Sequence, residues 1–339
     1  MPGIEEKKVE IAGAICAPPE PSGESQRVRP QPRHSTNLQG LLRFCVEATQ
    51  SEDAPAESHV LPLDEERRKW LEEAIKSMSV DIIGLLQKQI KVLQKVDSIK
   101  PEDDISEYEQ AVDIILEQVD HIDIACDFHK IGGFMVLYPC LKSPHPKIRA
   151  AGCELLAELC QNNPYCQEVV LDNEFVPKLL NMIDKDEDTE VAVKALYAVS
   201  AIIRHSQEGF NQFIHYNGPV ILLKALNRTD DRFIKKTTFL LSTLCDSQPD
   251  FKSRLVFLDY IPTLITLISR ERQPSHEYVL ALLAALVEEN ATALSECRNP
   301  RHNLQEVLQK YVANCGTKEE CLEEIQHCKR ILYLVFGCN

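Results

Sequence analysis

Three cysteines near the C-terminus are the residues whose chemistry could involve a metal ion. Cys315, Cys321 and Cys328 are separated by five and six intervening residues, and thiolates are common zinc ligands. This spacing matches no standard zinc pattern, in which the ligands come in closer pairs. Cys321 and Cys328 lie seven residues apart and therefore share one face of a helix. The sequence predicts thiols packed in a core and no metal site.

No sequence motif signals catalysis. The chain contains no glycine-rich phosphate loop, no GxGxxG fingerprint and no HExxH zinc helix. Gly132-Gly133 is the only double glycine, and its position between two helical patterns predicts a turn. The ten histidines are scattered and form no recognisable nucleophile–base arrangement. We therefore expect a protein that is not an enzyme and that binds no cofactor of its own.

Composition and charge limit which partners and which cellular compartment are expected. The net charge of −15 creates an average field that repels nucleic acid. No run of about 18 apolar residues is present, so no membrane span is predicted. The thirteen cysteines are odd in number and follow no apolar signal segment, which favours free thiols in a reducing compartment, the cytosol. With 12 glycines and 6% aromatic residues, the chain favours helices over strands.

An internal repeat of about 42 residues dominates the middle of the chain. The residues Leu159, Ile202, Leu244 and Val287 match at separations of 43, 42 and 43. Each period contains one long helical pattern, a polar break and two shorter helical patterns. Three helices in this length are typical of the armadillo unit, and such units bury their apolar faces only by stacking. The sequence predicts an all-α, armadillo-like α-solenoid with helical caps at both ends.

The segments outside the repeats are interpreted by composition and periodicity. Residues 1–62 are predicted to be disordered, apart from one short amphipathic helix at about 37–49. Residues 63–100 are predicted to form an N-terminal helical cap, and the repeats extend over 101–302. Residues 303–339 depart from the period and are predicted to form two helices that cap the last repeat. In that cap, Leu322 is predicted to face inward.

A strip on the long helices is the predicted partner-binding surface, because these helices line the concave face of an armadillo stack. Tyr197 and Phe239 place aromatic rings at surface positions, and aromatic residues favour the centres of interfaces. Lys194, Arg204, Lys236 and His276 make the strip locally basic. Aligning the long helices gives the complete set of candidate residues: Glu154, Glu158, Lys194, Tyr197, Ala201, Arg204, Lys236, Phe239, Thr243, His276, Val279 and Leu282.

Four stretches of the sequence carry a resemblance that extends from Asn37 to Leu332. They are Asn37–Phe44 (NLQGLLRF), Asp64–Ala74 (DEERRKWLEEA), Asp123–Phe128 (DIACDF) continuing through Gly132-Gly133, and His276–Leu280 (HEYVL) with Glu296–Arg298 (ECR). In these stretches the chain resembles the Hsp70-binding protein family, the armadillo-type nucleotide exchange factors of the cytosolic 70-kDa heat-shock chaperone. The stretches that lie outside the repeats, Asn37–Phe44 and Asp64–Ala74, make the resemblance specific.

The resemblance implies a function and a mechanism. The concave face would embrace one lobe of the nucleotide-binding domain of the chaperone and displace the other, which would promote release of ADP and then of the client. It implies a monomeric factor, and the helix at Leu38–Val46 would take part in client release. The alternative is an armadillo scaffold or adaptor that binds another protein. Scaffolds that bind extended peptides repeat Trp and Asn on successive long helices, whereas the only Trp here is Trp70.

Overall fold

The computed structural model describes Lys69 and residues 81–228, 230–316 and 318–337. The chain divides between Ser77 and Met78 into two units, and the description below concerns the second. The predictions for residues 1–62, and those for the first helix of the N-terminal cap around Trp70, lie outside the described residues. No helix in the described part of the chain is both long and apolar enough to cross a bilayer.

The described residues are built from helices and contain no strand. The helices are α1 (Ile82–Leu93), α2 (Ser106–Val119), α3 (Ile122–Lys130), α4 (Leu137–Lys142), α5 (Pro146–Cys160), α6 (Pro164–Asp172), α7 (Phe175–Lys185), α8 (Thr189–Ile203), α9 (Gln207–His215), α10 (Gly218–Ala225), α11 (Asp231–Ser247), α12 (Phe251–Phe257), α13 (Tyr260–Ile268), α14 (His276–Val287), α15 (Ala291–Cys297), α16 (Leu304–Cys315) and α17 (Leu322–Phe336). Short 3-10 segments lie at Val96–Ser98, Gly133–Val136, Pro300–His302 and Glu319–Cys321. The predicted all-α class is confirmed.

The helices follow the predicted order of one long helix and two shorter ones. The long helices α2, α5, α8, α11, α14 and α17 pack side by side in chain order, and several of the short helices contact their counterparts in the next repeat. The apolar faces of all three kinds of helix meet in one continuous core. A stack of this kind holds side chains from successive long helices on one common surface.

Two local signals repeat with the helices. The first short helix of three repeats begins at a polar residue, Asn163, Ser206 or Asn290, whose side chain accepts a hydrogen bond from a backbone N–H in the first turn. A residue with positive φ recurs before each second short helix, at intervals of 42 to 44 residues. These residues are Gly132, Glu174, Asn217, Asp259 and Asn303. The left-handed conformation therefore fixes the same turn in every repeat, including the one that begins with Gly132-Gly133.

In each repeat, one aromatic side chain fills the space between the two short helices. It comes from the first position of an equivalent pair in one repeat and from the second position in the next. The equivalent pairs are Phe128 and Gly133, Val170 and Phe175, Phe213 and Gly218, and Leu255 and Tyr260, and all eight residues are buried. A Cβ atom added at Gly133 would lie 2.5 Å from the ring of Phe128. The glycine is therefore required wherever the aromatic residue is in the first position.

We predict that Gly218→Ala destabilises the protein by about 1–3 kcal/mol, because the added methyl group overlaps the buried ring of Phe213. Phe213→Val supplies the residue type found at the equivalent position Val170, and combining the two changes should cost less than the sum of the single changes. Urea denaturation followed by circular dichroism measures both effects. Strictly additive costs would contradict this packing relation.

The C-terminal helices continue the repeat pattern, which differs from the predicted departure at residue 303. Asn303 takes the recurring left-handed turn, α16 occupies the place of a second short helix, and α17 packs on α14 as the next long helix. The predicted inward face of α17 is wrong in one respect, since Leu322 is 53% exposed. The buried face instead contains Cys321, Glu324 and Cys328. The predicted burial of the thiols is confirmed.

Candidate partner-binding surface

The alignment of α14 with α11 decides which residues reach the surface, and the predicted alignment was wrong by one residue. Every buried residue of α11 from Phe233 to Cys245 has a buried counterpart exactly 42 positions later, from Ser275 to Val287. The prediction used a separation of 43. A shift of one residue turns a helix by about 100°, so it moves side chains from the surface into the core. Tyr278, and not Val279, is therefore the counterpart of Lys236.

Four of the twelve candidate residues are buried and cannot contact a partner in this structure. Val279 and Leu282 have no exposed surface, because the helix shift places them between repeats. His276 is also buried, and its Nδ1 lies 3.2 Å from the hydroxyl oxygen of Tyr311. Ala201 is 4% exposed within the stack. The proposed interface therefore does not include these four positions.

The remaining eight candidates are accessible on α5, α8 and α11. Glu154 and Glu158 lie half-buried on α5, and Lys194 and Tyr197 lie half-buried on α8. Arg204 follows the last residue of α8 and is also half-buried, as is Thr243 on α11, whereas Lys236 and Phe239 are exposed. The structure thus brings these residues together on neighbouring long helices, as the sequence predicted.

Contacts between α5 and α8 fix one side of this surface. Lys194 Nζ lies 2.5 Å from Glu154 Oε1, and the Tyr197 hydroxyl donates a hydrogen bond of 2.9 Å to Glu158 Oε1. Burial, together with this hydrogen bond, raises the pKa of Tyr197 to about 12. Tyr197 therefore keeps its proton at neutral pH and continues to donate to Glu158. Both carboxylates are occupied by neighbouring groups of the same chain.

Contacts between α11 and its neighbours arrange cations over aromatic rings. Lys236 Nζ lies 4.8 Å from the centre of the Tyr197 ring, and Lys235 Nζ lies 4.7 Å from the centre of the Tyr278 ring. The rings of Phe239 and Tyr278 meet edge to face, with centroids 6.4 Å apart. We call this set of side chains the lysine–aromatic strip, and it consists of Lys194, Tyr197, Arg204, Lys235, Lys236, Phe239 and Tyr278.

The cations of this strip are only partly neutralised within the described residues. Lys194 pairs with Glu154, but neither Lys235 nor Lys236 forms an ion pair there. Partial desolvation beside the Tyr197 ring, followed by repulsion from Lys194, lowers the pKa of Lys236 from its usual value. Arg204 Nε is buried without a hydrogen-bond partner in the same part of the chain. The strip can therefore accept carboxylate groups from a partner, which would relieve the repulsion among the lysines.

Lys235 and Tyr278 are strip residues that sequence reasoning missed. Because the predicted alignment of α14 was wrong by one residue, Val279 was placed at the surface position that Tyr278 occupies. Lys235 precedes Lys236 on the same helix, and only the contact with Tyr278 reveals its place in the strip. The pair of adjacent lysines was the available sequence signal.

Comparison with known proteins places this chain in a family. The chain matches the family model of the SIL1/FES1/HPBP1 C-terminal domain over residues 124–222 and the model named nucleotide exchange factor Fes1 over residues 38–128. It is 30% identical to mouse Hsp70-binding protein 1 over 326 residues, which cover 93% of this chain and 90% of the relative. The chain belongs to the Hsp70-binding protein 1 family.

Other relatives agree with this membership, and a solved structure shows the same fold. Human Hsp70-binding protein 1 is 30% identical over 90% of this chain and 87% of the relative. The Hsp70 nucleotide exchange factor FES1 of Mycosarcoma maydis is 28% identical over 41% of this chain and 34% of its own length. A designed armadillo repeat protein superposes with a TM-score of 0.57 at 14% identity, covering 74% of this chain and 99% of the design. The last comparison confirms the armadillo fold.

Within the Hsp70-binding protein 1 family, the family models cover one end of the lysine–aromatic strip. The C-terminal domain model covers Lys194, Tyr197 and Arg204 on α8. Lys236 and Tyr278 lie beyond that model, in the part of the chain that α11 and α14 add to the stack. The strip therefore extends from the region shared with the family model into the later repeats.

Proposed function

We propose that this chain is a nucleotide exchange factor of a 70-kDa heat-shock chaperone, a binding protein and not an enzyme. The observation that carries the proposal is 30% identity to Hsp70-binding protein 1 over nine-tenths of the chain. Names of the fungal relatives describe the same activity. A cytosolic location follows from this role, and the free, buried thiols are compatible with a reducing compartment.

We propose that the surface formed by the long helices binds the nucleotide-binding domain. The lysine–aromatic strip supports this assignment, because it combines partly exposed rings with two lysines, Lys235 and Lys236, that form no ion pair within the described residues. Aromatic rings that become buried on binding contribute strongly to the binding energy of an interface, and unpaired cations favour an acidic partner surface. The eight accessible candidate residues belong to this interface, together with Lys235 and Tyr278.

The mechanism rests on a rigid stack that holds one lobe of the nucleotide-binding domain while displacing the other. Since ADP contacts both lobes, their separation removes part of its binding site. The long helices are joined by a continuous core, so the stack can resist the force that closes the two lobes. No chemical step takes place on the factor itself. Its effect on ADP is a difference in affinity between two states of the chaperone.

We predict that saturating ADP weakens binding of this protein to the isolated nucleotide-binding domain by about tenfold or more. Thermodynamic linkage requires that the protein weakens ADP binding by the same factor. Calorimetric titrations, with and without ADP and in both directions, measure the two factors. Tight binding that is insensitive to ADP would contradict exchange activity and favour the scaffold alternative. No binding to the folded domain would contradict the proposed partner.

A further inference from the structure

A buried group of metal-ligand side chains lies where α16 meets α17. Cys315 is the last residue of α16, Cys321 ends the following 3-10 turn, and Glu324 lies in the first turn of α17. All three residues are buried, and their ligand atoms lie within 4.8 Å of one another. Gly316, with φ of 59°, allows the sharp reversal that brings the two cysteines together.

We propose that Cys315, Cys321 and Glu324 form a structural zinc site. Zinc binds thiolate sulfur at about 2.3 Å and carboxylate oxygen at about 2.0–2.2 Å in a tetrahedral arrangement. These bond lengths place sulfur about 3.5 Å from oxygen and two sulfurs about 3.8 Å apart. Cys315 Sγ lies 3.9 Å from Glu324 Oε2. Small side-chain movements therefore suffice to bring the ligands to the distances that zinc requires.

Surrounding groups orient the carboxylate of Glu324. Arg272 donates from Nε to Oε2 and from Nη2 to Oε1, each at 2.9 Å. The Tyr311 hydroxyl donates to Oε2 at 2.7 Å and lies 3.2 Å from Nδ1 of His276. When zinc takes a lone pair of Oε2, Tyr311 can turn its proton to His276. Outer groups that orient ligands in this way are a regular part of metal sites.

The charges of the site balance when zinc binds. The Zn²⁺ ion replaces the protons of the Cys315 and Cys321 thiols, and both protons leave for solvent. The buried group gains two positive charges and loses two, while Arg272 continues to neutralise Glu324. Binding therefore adds no net charge to the interior, where an uncompensated charge is costly. Zinc supplies no redox chemistry in this role.

Cys328 is not one of the proposed ligands, so a water molecule would take the fourth position of the zinc tetrahedron. This residue follows Glu324 by one helical turn on the buried face of α17, but its sulfur does not belong to the group of ligand atoms that lie within 4.8 Å of one another. A site of two thiolates and one carboxylate would hold the last long helix of the stack to α16. Sequence reasoning rejected a metal here because the spacing of the three cysteines matches no standard zinc pattern.

Metal analysis of the full chain, purified under reducing conditions without added chelator, tests the proposal. We expect about one zinc per chain by mass spectrometry. After the metal has been stripped, Co²⁺ alone should produce the near-ultraviolet thiolate-to-cobalt absorption that reports cysteine ligands. Restoring Zn²⁺ should raise the midpoint of thermal unfolding, because the ion binds the folded state.

Two variants distinguish the loss of a zinc ligand from a general loss of core packing. Cys321→Ser should weaken zinc binding at least about 100-fold in competition with a chromophoric chelator, whereas Cys245→Ser, a buried thiol on α11, should bind zinc like the parent chain. If Cys321→Ser does not fold, the cobalt spectrum of the unmodified chain still decides. Folded protein with neither zinc nor a thiolate–cobalt band would overturn the site. A disulfide joining Cys315 and Cys321 in the purified chain would also overturn it.

Discussion

The double substitution Lys236→Glu with Phe239→Ala is expected to lower the affinity for the chaperone nucleotide-binding domain about 100-fold or more. Phe239 is 47% exposed and presents its ring at the centre of the strip, and the loss of a central aromatic residue commonly costs 2 kcal/mol or more. Reversing the charge of Lys236 turns an attraction for acidic groups into repulsion. Because each 1.4 kcal/mol corresponds to a factor of ten, two such losses give this magnitude.

The fold should tolerate these two changes. A glutamate at position 236 would have three cations nearby, Lys194, Lys235 and Arg204, against one carboxylate, that of Glu154. It therefore meets favourable charges in the free protein. Phe239 packs edge to face with Tyr278 but keeps nearly half of its surface in solvent. Circular dichroism and the urea midpoint should remain close to those of the parent chain.

A matched control carries the same two chemical changes on the short helices. Lys185→Glu with Phe257→Ala alters an exposed lysine at the end of α7 and a phenylalanine on α12 that is 86% exposed. We expect this control to retain the parent affinity within about twofold, since neither residue lies on a long helix. Calorimetric titration measures both proteins. Equal affinities of the strip variant and the control would show that the interface lies elsewhere.

Arg149→Met is expected to cost about 3 kcal/mol of stability, the largest expected effect of a single change on the fold. Arg149 on α5 holds Asp186 at the end of α7 through two hydrogen bonds of 2.8 and 2.9 Å. It also donates to the backbone oxygens of Ser143 and Pro144. The Asp186 side chain is 9% exposed, so removal of the guanidinium leaves a nearly buried charge without its partner.

Two further variants test the cause of that loss. Arg149→Met combined with Asp186→Asn should recover part of the stability, because no unpaired carboxylate remains. Arg232→Met makes the same change at an ion pair with Glu190 in which both side chains are well exposed, and it should cost at most about 1 kcal/mol. Urea denaturation compares all three variants. A similar cost for Arg149→Met and Arg232→Met would contradict the role assigned to burial.

The repeat was predictable from the sequence because its polar breaks are local signals. The residues that begin the first short helices, such as Asn163 and Ser206, form hydrogen bonds within a few residues of themselves. The long helices α5, α8 and α11 alternate apolar and polar residues, and this alternation determines which face is buried. Most of the strip could therefore be located before the structure was known.

The orientation of α14 could not be determined in the same way. Its sequence, HEYVLALLAALV, is apolar on nearly every side. Without a polar stripe, helical periodicity does not distinguish between alignments one residue apart. Contacts with α11 and α17 on either side decide the orientation, so Leu282 is buried and Ala281 takes the surface position.

The orientation of α17 was misjudged for a different reason. A glutamate normally lies at the surface and a leucine in the core, so Leu322 was assigned inward. Glu324 is buried because Arg272, some fifty residues earlier in the chain, pairs with it. Long-range ion pairs leave no periodic signal in a sequence. The same limitation concealed the proximity of Glu324 to Cys315 and Cys321.

Release of a fluorescent ADP analogue from a 70-kDa heat-shock chaperone, followed by stopped flow, tests the proposed exchange activity most directly. We predict that this protein accelerates release, that the rate saturates with its concentration, and that the strip variant Lys236→Glu with Phe239→Ala loses most of the acceleration. An unchanged release rate, with the protein folded and the chaperone active, would contradict exchange activity. The armadillo stack would then be assigned to a scaffold with another partner.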